Sequence, residues 1–205
     1  MVILHPAYFP NSLFFSALIK NDVIWEAHDN FQKQTYRNRA FICTDRGLHM
    51  LSIPIVHTRD KLGRQLYREV KIDNSYPWQR QHWRTLETAY RTSPFFEFYE
   101  DELKSLYMNT FDFLLDFNLM TIQTICECLQ VKMPSAKTED YKKMYTDKED
   151  FRPLVNAKAT TKYKHPEYTQ VFGDRHSFIP NLSILDVIFN EGPNTTALLN
   201  QIRLS

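Results

Sequence analysis

The feature that most constrains this chain is its shortage of glycine, since only 4 of its 205 residues are glycine. Neither a GxGxxG nor a GxxxxGK[ST] sequence occurs. The phosphate-binding loops of dinucleotide-binding and P-loop folds need such glycines, because the backbone has to approach the phosphates closely. The sequence therefore argues against both of these folds.

Charge balance and hydropathy argue against two further kinds of partner. The 25 Lys and Arg residues are offset by 24 Asp and Glu residues, so the net charge of +1 does not indicate a dedicated nucleic-acid binder. No apolar run reaches the ~18 residues of a transmembrane helix, and the first ten residues lack the features of a secretory signal. We therefore expect a cytoplasmic protein with no nucleic-acid partner and no membrane span.

Local patterns predict short strands first and helices later. Strands are predicted at 2–4, 23–25 and 69–72, with a hairpin of 39–43 and 48–55 that turns at Gly47. Helices are predicted at 13–20, 77–90, 94 onwards, 109–129, 139–145, 182–189 and 195–202, with N-caps at Asn11 or Ser12, Asn181 and Asn194. The polar segment 58–68 is predicted to be an exposed loop. The predicted fold class is α+β: a single domain of residues 1–205, with short strands and a hairpin in the N-terminal third and helices dominating the rest.

The first polar cluster with catalytic potential is the N-terminal sequence HPAYFP. His5 directly follows the first predicted strand, and the carboxyl end of such a strand often borders a cleft. A neutral imidazole there can exchange a proton near pH 7. The alternative is a structural histidine that fixes a turn between prolines.

A second cluster, EAHDNFQKQTYRNR, lies between two predicted strands. It contains Lys33 and Arg39, two cations that together can hold a phosphate or a carboxylate. Phe31 and Tyr36 are unusual for a purely solvated loop, so we favour a ligand-binding segment. The alternative is a solvated connection whose charges have no function.

The third cluster begins at His165 and leads into a predicted helix. Ser183 and Asp186 lie near the start of that helix, where unpaired N–H groups favour an anion. Asp186 is surrounded in sequence by aliphatic residues and needs a partner, for which His5, His82, His165 or an arginine is a candidate. The alternative for Ser183 and Asp186 is simple helix capping.

Other chemistries have less support in the sequence. His82 has apolar neighbours at helical spacing, which is more typical of a core histidine. A metal site assembled from His5, His28 and His165 is a weaker alternative, because neither HExxH nor HxH occurs. The three cysteines lie in apolar surroundings that disfavour a thiolate, and no GxSxG sequence is present. We expect neither a metal nor a cofactor.

Four blocks of sequence carry a family resemblance. They are HPAYFPNSLFF, NFQKQTYRNRAFI followed by LSIPIV, WQRQHWRTLETAYRTSPFFEFYEDEL, and HPEYTQVFGDRHSFIPNLSILDVIFNEG. In this order they resemble the WbqC-like protein family, and together they cover nearly the whole chain. The last block is the most specific of the four.

The resemblance implies a role in bacterial surface-polysaccharide (O-antigen) biosynthesis. It implies a transferase that moves an acyl or aminoacyl group, such as glycine, to a sugar; the alternative is a non-catalytic binding or scaffolding protein of polysaccharide assembly. The expected partners are a sugar nucleotide or lipid-linked sugar and an activated amino-acid donor. The oligomeric state is left open.

Positions that match the family's motifs are the candidate site residues. We expect His5 or His165 to act as the catalytic base and Asp186 to orient its imidazole. The candidate substrate-binding residues are Tyr8, Lys33, Asn38, Arg39, His82, Tyr90, Tyr168, Gln170, Ser183 and Asn190.

Overall fold

The computed structural model describes residues 1–56, 65–158 and 162–204. Its strands are β1 (Val2–Leu4), β2 (Val23–Trp25), β3 (Arg39–Thr44), β4 (Gly47–Ser52), β5 (Glu149–Asp150), β6 (Tyr163–Lys164) and β7 (Arg203–Leu204). Its α-helices are α1 (Ser12–Lys20), α2 (Trp78–Tyr90), α3 (Phe96–Met108), α4 (Leu114–Cys128), α5 (Gly173–His176), α6 (Ile184–Glu191) and α7 (Thr195–Gln201). The predicted α+β class is confirmed.

A small parallel sheet organises the N-terminal part of the fold. β1 is its central strand, with β2 on one side and β5 on the other, and both neighbours run parallel to it. Carboxyl ends of parallel strands meet at one edge of a sheet, which is a common position for ligand sites. Here that edge carries His5, Glu26 and Asp150.

The predicted hairpin is confirmed as the antiparallel pair β3 and β4. Its six residue pairs run from Arg39 with Ser52 to Thr44 with Gly47. Gly47 has φ +92°, a backbone conformation that favours glycine, so this residue allows the tight turn. A third small sheet pairs β6 with β7 near the C-terminus.

Helix positions follow from local caps and apolar faces. The Asn11 side chain accepts a hydrogen bond from the Phe14 backbone N–H and caps α1, as predicted. In α2, apolar side chains at three- and four-residue spacing are buried, including Trp78, Leu86 and Tyr90. Within the described part of the chain, no helix combines the length and the hydropathy needed to cross a membrane.

Aromatic side chains fill much of the hydrophobic core. Tyr8, Phe9, Trp78, Tyr107 and Phe117 are all buried and stack on or pack edge-on against one another. The core also takes residues from β1, β3, α4, α6 and α7. Because these rings pack against each other, they are not available as a surface for partners.

Two predicted elements are wrong in position or type. The predicted strand at 69–72 is replaced by a 3₁₀ turn at Tyr67–Glu69 followed by isolated bridges of Lys71 and Ile72. Residues 139–145 form bends and no helix, because the segment is exposed and has no apolar face to bury. Part of the predicted loop at 58–68 lies outside the described residues.

Two predicted caps are also wrong. Ser183 caps α6, and its hydroxyl accepts a hydrogen bond from the Leu185 N–H. The Asn181 side chain accepts from the Leu13 backbone N–H on α1 instead. Asn194 precedes α7 without a capping hydrogen bond, because a 3₁₀ turn at Gly192–Asn194 already leads into that helix.

Candidate functional site

A buried histidine and a buried aspartate meet at the carboxyl edge of the parallel sheet. His5 directly follows β1 and is only 3% exposed, and its Nε2 lies 3.2 Å from Oδ2 of Asp29. The same carboxylate oxygen accepts a hydrogen bond of 3.1 Å from Nη2 of Arg37. The backbone N–H of Asn30 donates to the other oxygen at 2.7 Å. Asp29 therefore links the imidazole to a guanidinium.

Burial keeps the His5 imidazole neutral. Desolvation lowers its pKa to about 4 and outweighs the hydrogen bond to Asp29, which acts in the opposite direction. The proton of the neutral ring is assigned to Nε2, because that atom faces the carboxylate. Nδ1 then carries the lone pair, and among the described residues it has no hydrogen-bond partner. This geometry leaves one imidazole nitrogen able to accept a proton.

The side chains of this cluster line a cavity of about 230 Å³. We call this cavity, with its lining residues, the His5 site. Its lining includes His5, Asp29, Arg37, Asp150 and Arg152. Arg37 is almost fully buried, and its guanidinium lies over the ring of Tyr67, 5.2 Å from the centroid. Within the described chain, Nε and Nη1 of Arg37 have no hydrogen-bond acceptor. A buried guanidinium with unused donors is suited to bind an anionic or carbonyl oxygen.

A second arginine, Arg152, and its partner Asp150 also line the His5 site. Arg152 donates to both carboxylate oxygens of Asp150, with distances of 2.7 and 2.6 Å, and to the carbonyls of residues 142 and 143. Its Nη1 lies 3.9 Å from the fully buried carboxylate of Glu26. Asp150 and Arg152 were not predicted from the sequence, because β5 is two charged residues long and has no apolar pattern to mark it.

The predicted contact between Asp186 and a histidine is not formed. Asp186 is fully buried, and its carboxylate accepts hydrogen bonds from the hydroxyls of Tyr90 (2.7 Å) and Tyr168 (2.6 Å) and from Gln170 Nε2 (3.0 Å). Burial raises the pKa of this carboxyl group, and the three donors oppose that effect. Four predicted site residues therefore lie together in a buried polar cluster: Tyr90, Tyr168, Gln170 and Asp186. Among the described residues, Asp186 contacts no imidazole.

His165 is paired with a serine that the sequence analysis missed. Its Nε2 lies 2.7 Å from Ser12 Oγ, and its Nδ1 lies 2.7 Å from the Pro166 carbonyl oxygen. Burial lowers the pKa of His165. The backbone N–H groups of residues 12–14 all donate to acceptors within the protein, so they provide no oxyanion hole. This pair joins α1 to the C-terminal segment, and fully buried Ser12 lacks the surroundings of a nucleophile.

Tyr8 and His82 belong to the hydrophobic core. The Tyr8 hydroxyl lies 2.9 Å from His82 Nδ1 and 2.7 Å from the Tyr107 hydroxyl, and all three side chains are buried. Burial lowers the pKa of His82 to about 4. These contacts match the core-histidine alternative for His82.

Lys33, Asn38 and Arg39 line one cavity of about 330 Å³. The Asn38 amide donates to the Ile53 carbonyl at 3.0 Å, and Nε of Arg39 is buried without an acceptor within the described residues. The prediction that Lys33 and Arg39 converge agrees with this arrangement. This cavity shares no lining residue with the His5 site.

The last two predicted substrate-binding residues make local contacts. Ser183 caps α6 and also donates to the Phe9 carbonyl at 2.8 Å, and Asn190 donates to the Asp186 carbonyl one turn earlier in the same helix. These contacts match the capping alternative for Ser183.

The structure also bears on the weaker alternatives of a metal site and a reactive thiol. Among the described residues, no three His, Cys, Asp or Glu side chains form a group suited to a metal ion. His28 contacts Arg68, and therefore does not join His5 and His165. Burial raises the pKa of Cys43 and Cys128 to about 11, which makes their thiolates scarce near pH 7.

Comparison with known proteins agrees with the resemblance noted from the sequence. The model of the WbqC-like protein family matches residues 5–156 and 142–198. A curated relative from Mycobacterium tuberculosis (strain ATCC 25618 / H37Rv), "Uncharacterized protein Rv1507c", is 26% identical over 202 residues, covering 84% of this chain and 85% of the relative. No solved structure gives a significant match. The chain belongs to the WbqC-like protein family.

Proposed function

We propose that this chain is a cytoplasmic transferase of bacterial surface-polysaccharide assembly, which moves an acyl or aminoacyl group to a sugar at the His5 site. The single observation that carries the proposal is the pairing of His5 with Asp29, 3.2 Å apart, on the wall of a cavity at the carboxyl edge of a parallel sheet. The family's association with O-antigen gene clusters supports the biological setting.

In the proposed reaction, His5 acts as the general base. Its Nδ1 removes a proton from the hydroxyl or amine of the acceptor as the acceptor's oxygen or nitrogen attacks the acyl carbonyl carbon. The bond from that carbon to the donor's leaving group then breaks, and the leaving group departs with its electron pair. The imidazolium can return the proton to the leaving group.

Asp29 is a positioning residue in this scheme. Its carboxylate holds the Nε2–H of His5 and stabilises the imidazolium that forms during proton transfer. Arg37 holds Asp29 in place through Nη2, while its Nε and Nη1 are buried and have no acceptor among the described residues, so they are the donors that this scheme assigns to an oxygen of the substrate. Both arginines are paired with a carboxylate, but Arg152 uses Nε, Nη1 and Nη2 in hydrogen bonds within the protein. Arg152 therefore has fewer unused donors for a substrate than Arg37, which uses only Nη2.

In this scheme, the cavity with Lys33 and Arg39 holds a charged part of the substrate outside the His5 site. Both cavities are lined in part by the segment 29–39, which contributes different residues to each of them. A sugar nucleotide or lipid-linked sugar and an activated amino-acid donor are the partners that this scheme requires.

The proposal is tested in a strain whose own gene is deleted and replaced by variants. Mass spectrometry of the surface glycan should detect an acyl or aminoacyl substituent with the wild-type gene. We expect His5→Gln to abolish that substituent and Asp29→Asn to reduce it. His28→Gln is the matched control, because His28 lies outside the His5 site and contacts Arg68.

Two results would oppose the proposal. A stably folded His5→Gln variant that leaves the glycan substituent intact excludes His5 as the base. The second result has two parts: the deletion strain loses the glycan polymer without a change of substituent, and the His5→Gln gene restores the polymer. This result favours the alternative of a non-catalytic scaffolding protein. Urea denaturation of each purified variant separates loss of chemistry from loss of folding.

A further inference from the structure

A cavity of about 560 Å³, more than twice the volume of the His5 site, has three arginines on its walls. Arg46 comes from the turn between β3 and β4, Arg84 from α2, and Arg175 from α5. We call it the arginine cavity. It shares no lining residue with the His5 site or with the cavity at Lys33. Its volume is in the range of small-molecule binding sites.

The arginine cavity has an excess of positive charge. Asp45 is the one carboxylate on its walls, against three guanidinium groups. Among the described residues, Arg46, Arg84 and Arg175 form no ion pair, whereas Arg91 and Arg152 are each paired with a carboxylate. An excess of one sign of charge on the walls of a cavity favours a ligand of the opposite sign, here an anion.

A specific contact holds two of the three walls together. The His176 ring lies with Nε2 2.9 Å from the Asp45 carbonyl oxygen, which joins α5 to the hairpin turn. In the same short helix, the Arg175 guanidinium lies 5.9 Å from the centroid of the Phe172 ring. Phe172 also lines the cavity and is half-buried against the core, so it offers an aromatic surface beside the arginines.

We propose that the arginine cavity binds the diphosphate group of a phosphorylated ligand. Guanidinium groups match the geometry of phosphate oxygens and can bind them through paired hydrogen bonds. Three guanidiniums and one carboxylate leave two positive charges, which suit a diphosphate better than a single neutral or carboxylate group. The remaining volume can hold the group attached to the diphosphate, with Phe172 as a stacking surface. This proposal does not depend on the chemistry of the His5 site.

Isothermal titration of the full chain with inorganic pyrophosphate tests the proposal. We expect pyrophosphate to bind more tightly than orthophosphate. Arg84→Gln should weaken binding about tenfold, the effect of losing a charge-assisted hydrogen bond of about 1.4 kcal/mol. Asp45→Asn should strengthen binding, because it removes the negative charge from the cavity.

The matched control is Arg80→Gln, which removes the same charge one turn earlier on α2 at an exposed position outside the cavity. Equal weakening by Arg80→Gln and Arg84→Gln would show a general charge effect and overturn the proposal. No measurable pyrophosphate binding at low salt would overturn it as well. Thermal melting of the variants checks that each is folded, since all three substitutions are at exposed positions.

Two further titrations distinguish the source of the diphosphate. One uses a soluble nucleoside diphosphate, and the other uses phosphatidylcholine vesicles that contain a polyprenyl diphosphate. Tighter binding in one arm than to pyrophosphate, weakened by Arg84→Gln but not by Arg80→Gln, supports the proposal and identifies the class of ligand. Binding in both arms that is unaffected by Arg84→Gln contradicts it.

Discussion

His5 should make the folded protein sensitive to acid, and the size of the effect follows from its burial. The folded-state pKa of His5 is about 4, against 6.5 for an ordinary histidine. Between these two values the unfolded chain binds a proton that the folded chain does not, so the free energy of unfolding falls as the pH falls. The effect is absent well above pH 6.5 and complete below pH 4. At pH 5 it amounts to about 2 kcal/mol.

His5→Gln removes this contribution, because glutamine does not titrate. We expect the free energy of unfolding of wild-type protein to drop by about 2 kcal/mol more than that of His5→Gln between pH 7.5 and pH 5. The ordinary pKa of Asp29 is 3.8 and the folded state lowers it, so this carboxylate stays ionised over the whole range. Urea denaturation followed by tryptophan fluorescence measures both values. His28→Gln is the control and should follow the wild type.

Equal acid sensitivity of wild type and His5→Gln would refute the reasoning. It would mean that the folded protein protonates His5 near pH 6.5, so that burial does not hold the ring neutral. An NMR titration of labelled histidines gives a second readout. The imidazole signal that disappears in His5→Gln should titrate near pH 4, and a midpoint between pH 6 and pH 7 would contradict the prediction.

Three further predictions concern the stability of the fold and the reactivity of its thiols. Tyr168→Phe removes a donor from buried Asp186 and should lower the free energy of unfolding by about 1–3 kcal/mol; unchanged urea stability would contradict this. Gly192→Ala should lower the melting temperature, because the new Cβ would lie 2.5 Å from the Phe95 ring at a backbone φ of +50°, whereas Gly173→Ala meets nothing within 4 Å and is the control. The three thiols, with pKa values raised to about 11 or 12 by burial, should react slowly with Ellman's reagent at pH 8; complete reaction of the native protein within seconds would oppose this.

Sequence patterns predicted the elements whose residues carry a local signal. The strand Val2–Leu4 and the hairpin around Gly47 are apolar runs bounded by turn residues, and the structure confirms both. The long helices have apolar residues at three- and four-residue spacing, and these are the residues that the core buries. In each case the local pattern and the tertiary packing favour the same structure.

Asp150 and Arg152 of the His5 site had no local signal in the sequence. β5 consists of Glu149 and Asp150, which join the sheet through backbone hydrogen bonds with β1 and bury little side-chain surface. This pairing places Arg152 in the lining of the cavity, although Arg152 is more than a hundred residues from His5 in the sequence. Backbone pairing of this kind does not depend on residue type, so a sequence pattern cannot locate it.

The choice of carboxylate for the histidine was wrong for a related reason. Asp186 was expected to need an imidazole partner, because it lies among aliphatic residues. A buried carboxylate needs hydrogen-bond donors of any kind, and here two tyrosine hydroxyls and one glutamine amide supply them. Asp29, in a polar segment with many charges, gave no sign that it would be buried beside His5.

The two candidate bases differ in what their ring nitrogens already contact. A general base needs an unoccupied lone pair close to a space that a substrate can enter. His165 has Ser12 Oγ at one nitrogen and the Pro166 carbonyl at the other, each at 2.7 Å. His5 lines a cavity, uses one nitrogen for Asp29 and leaves its buried Nδ1 without a partner in the described part of the chain. Proton transfer by His165 would first require its contact with Ser12 to break, and so the geometry favours His5.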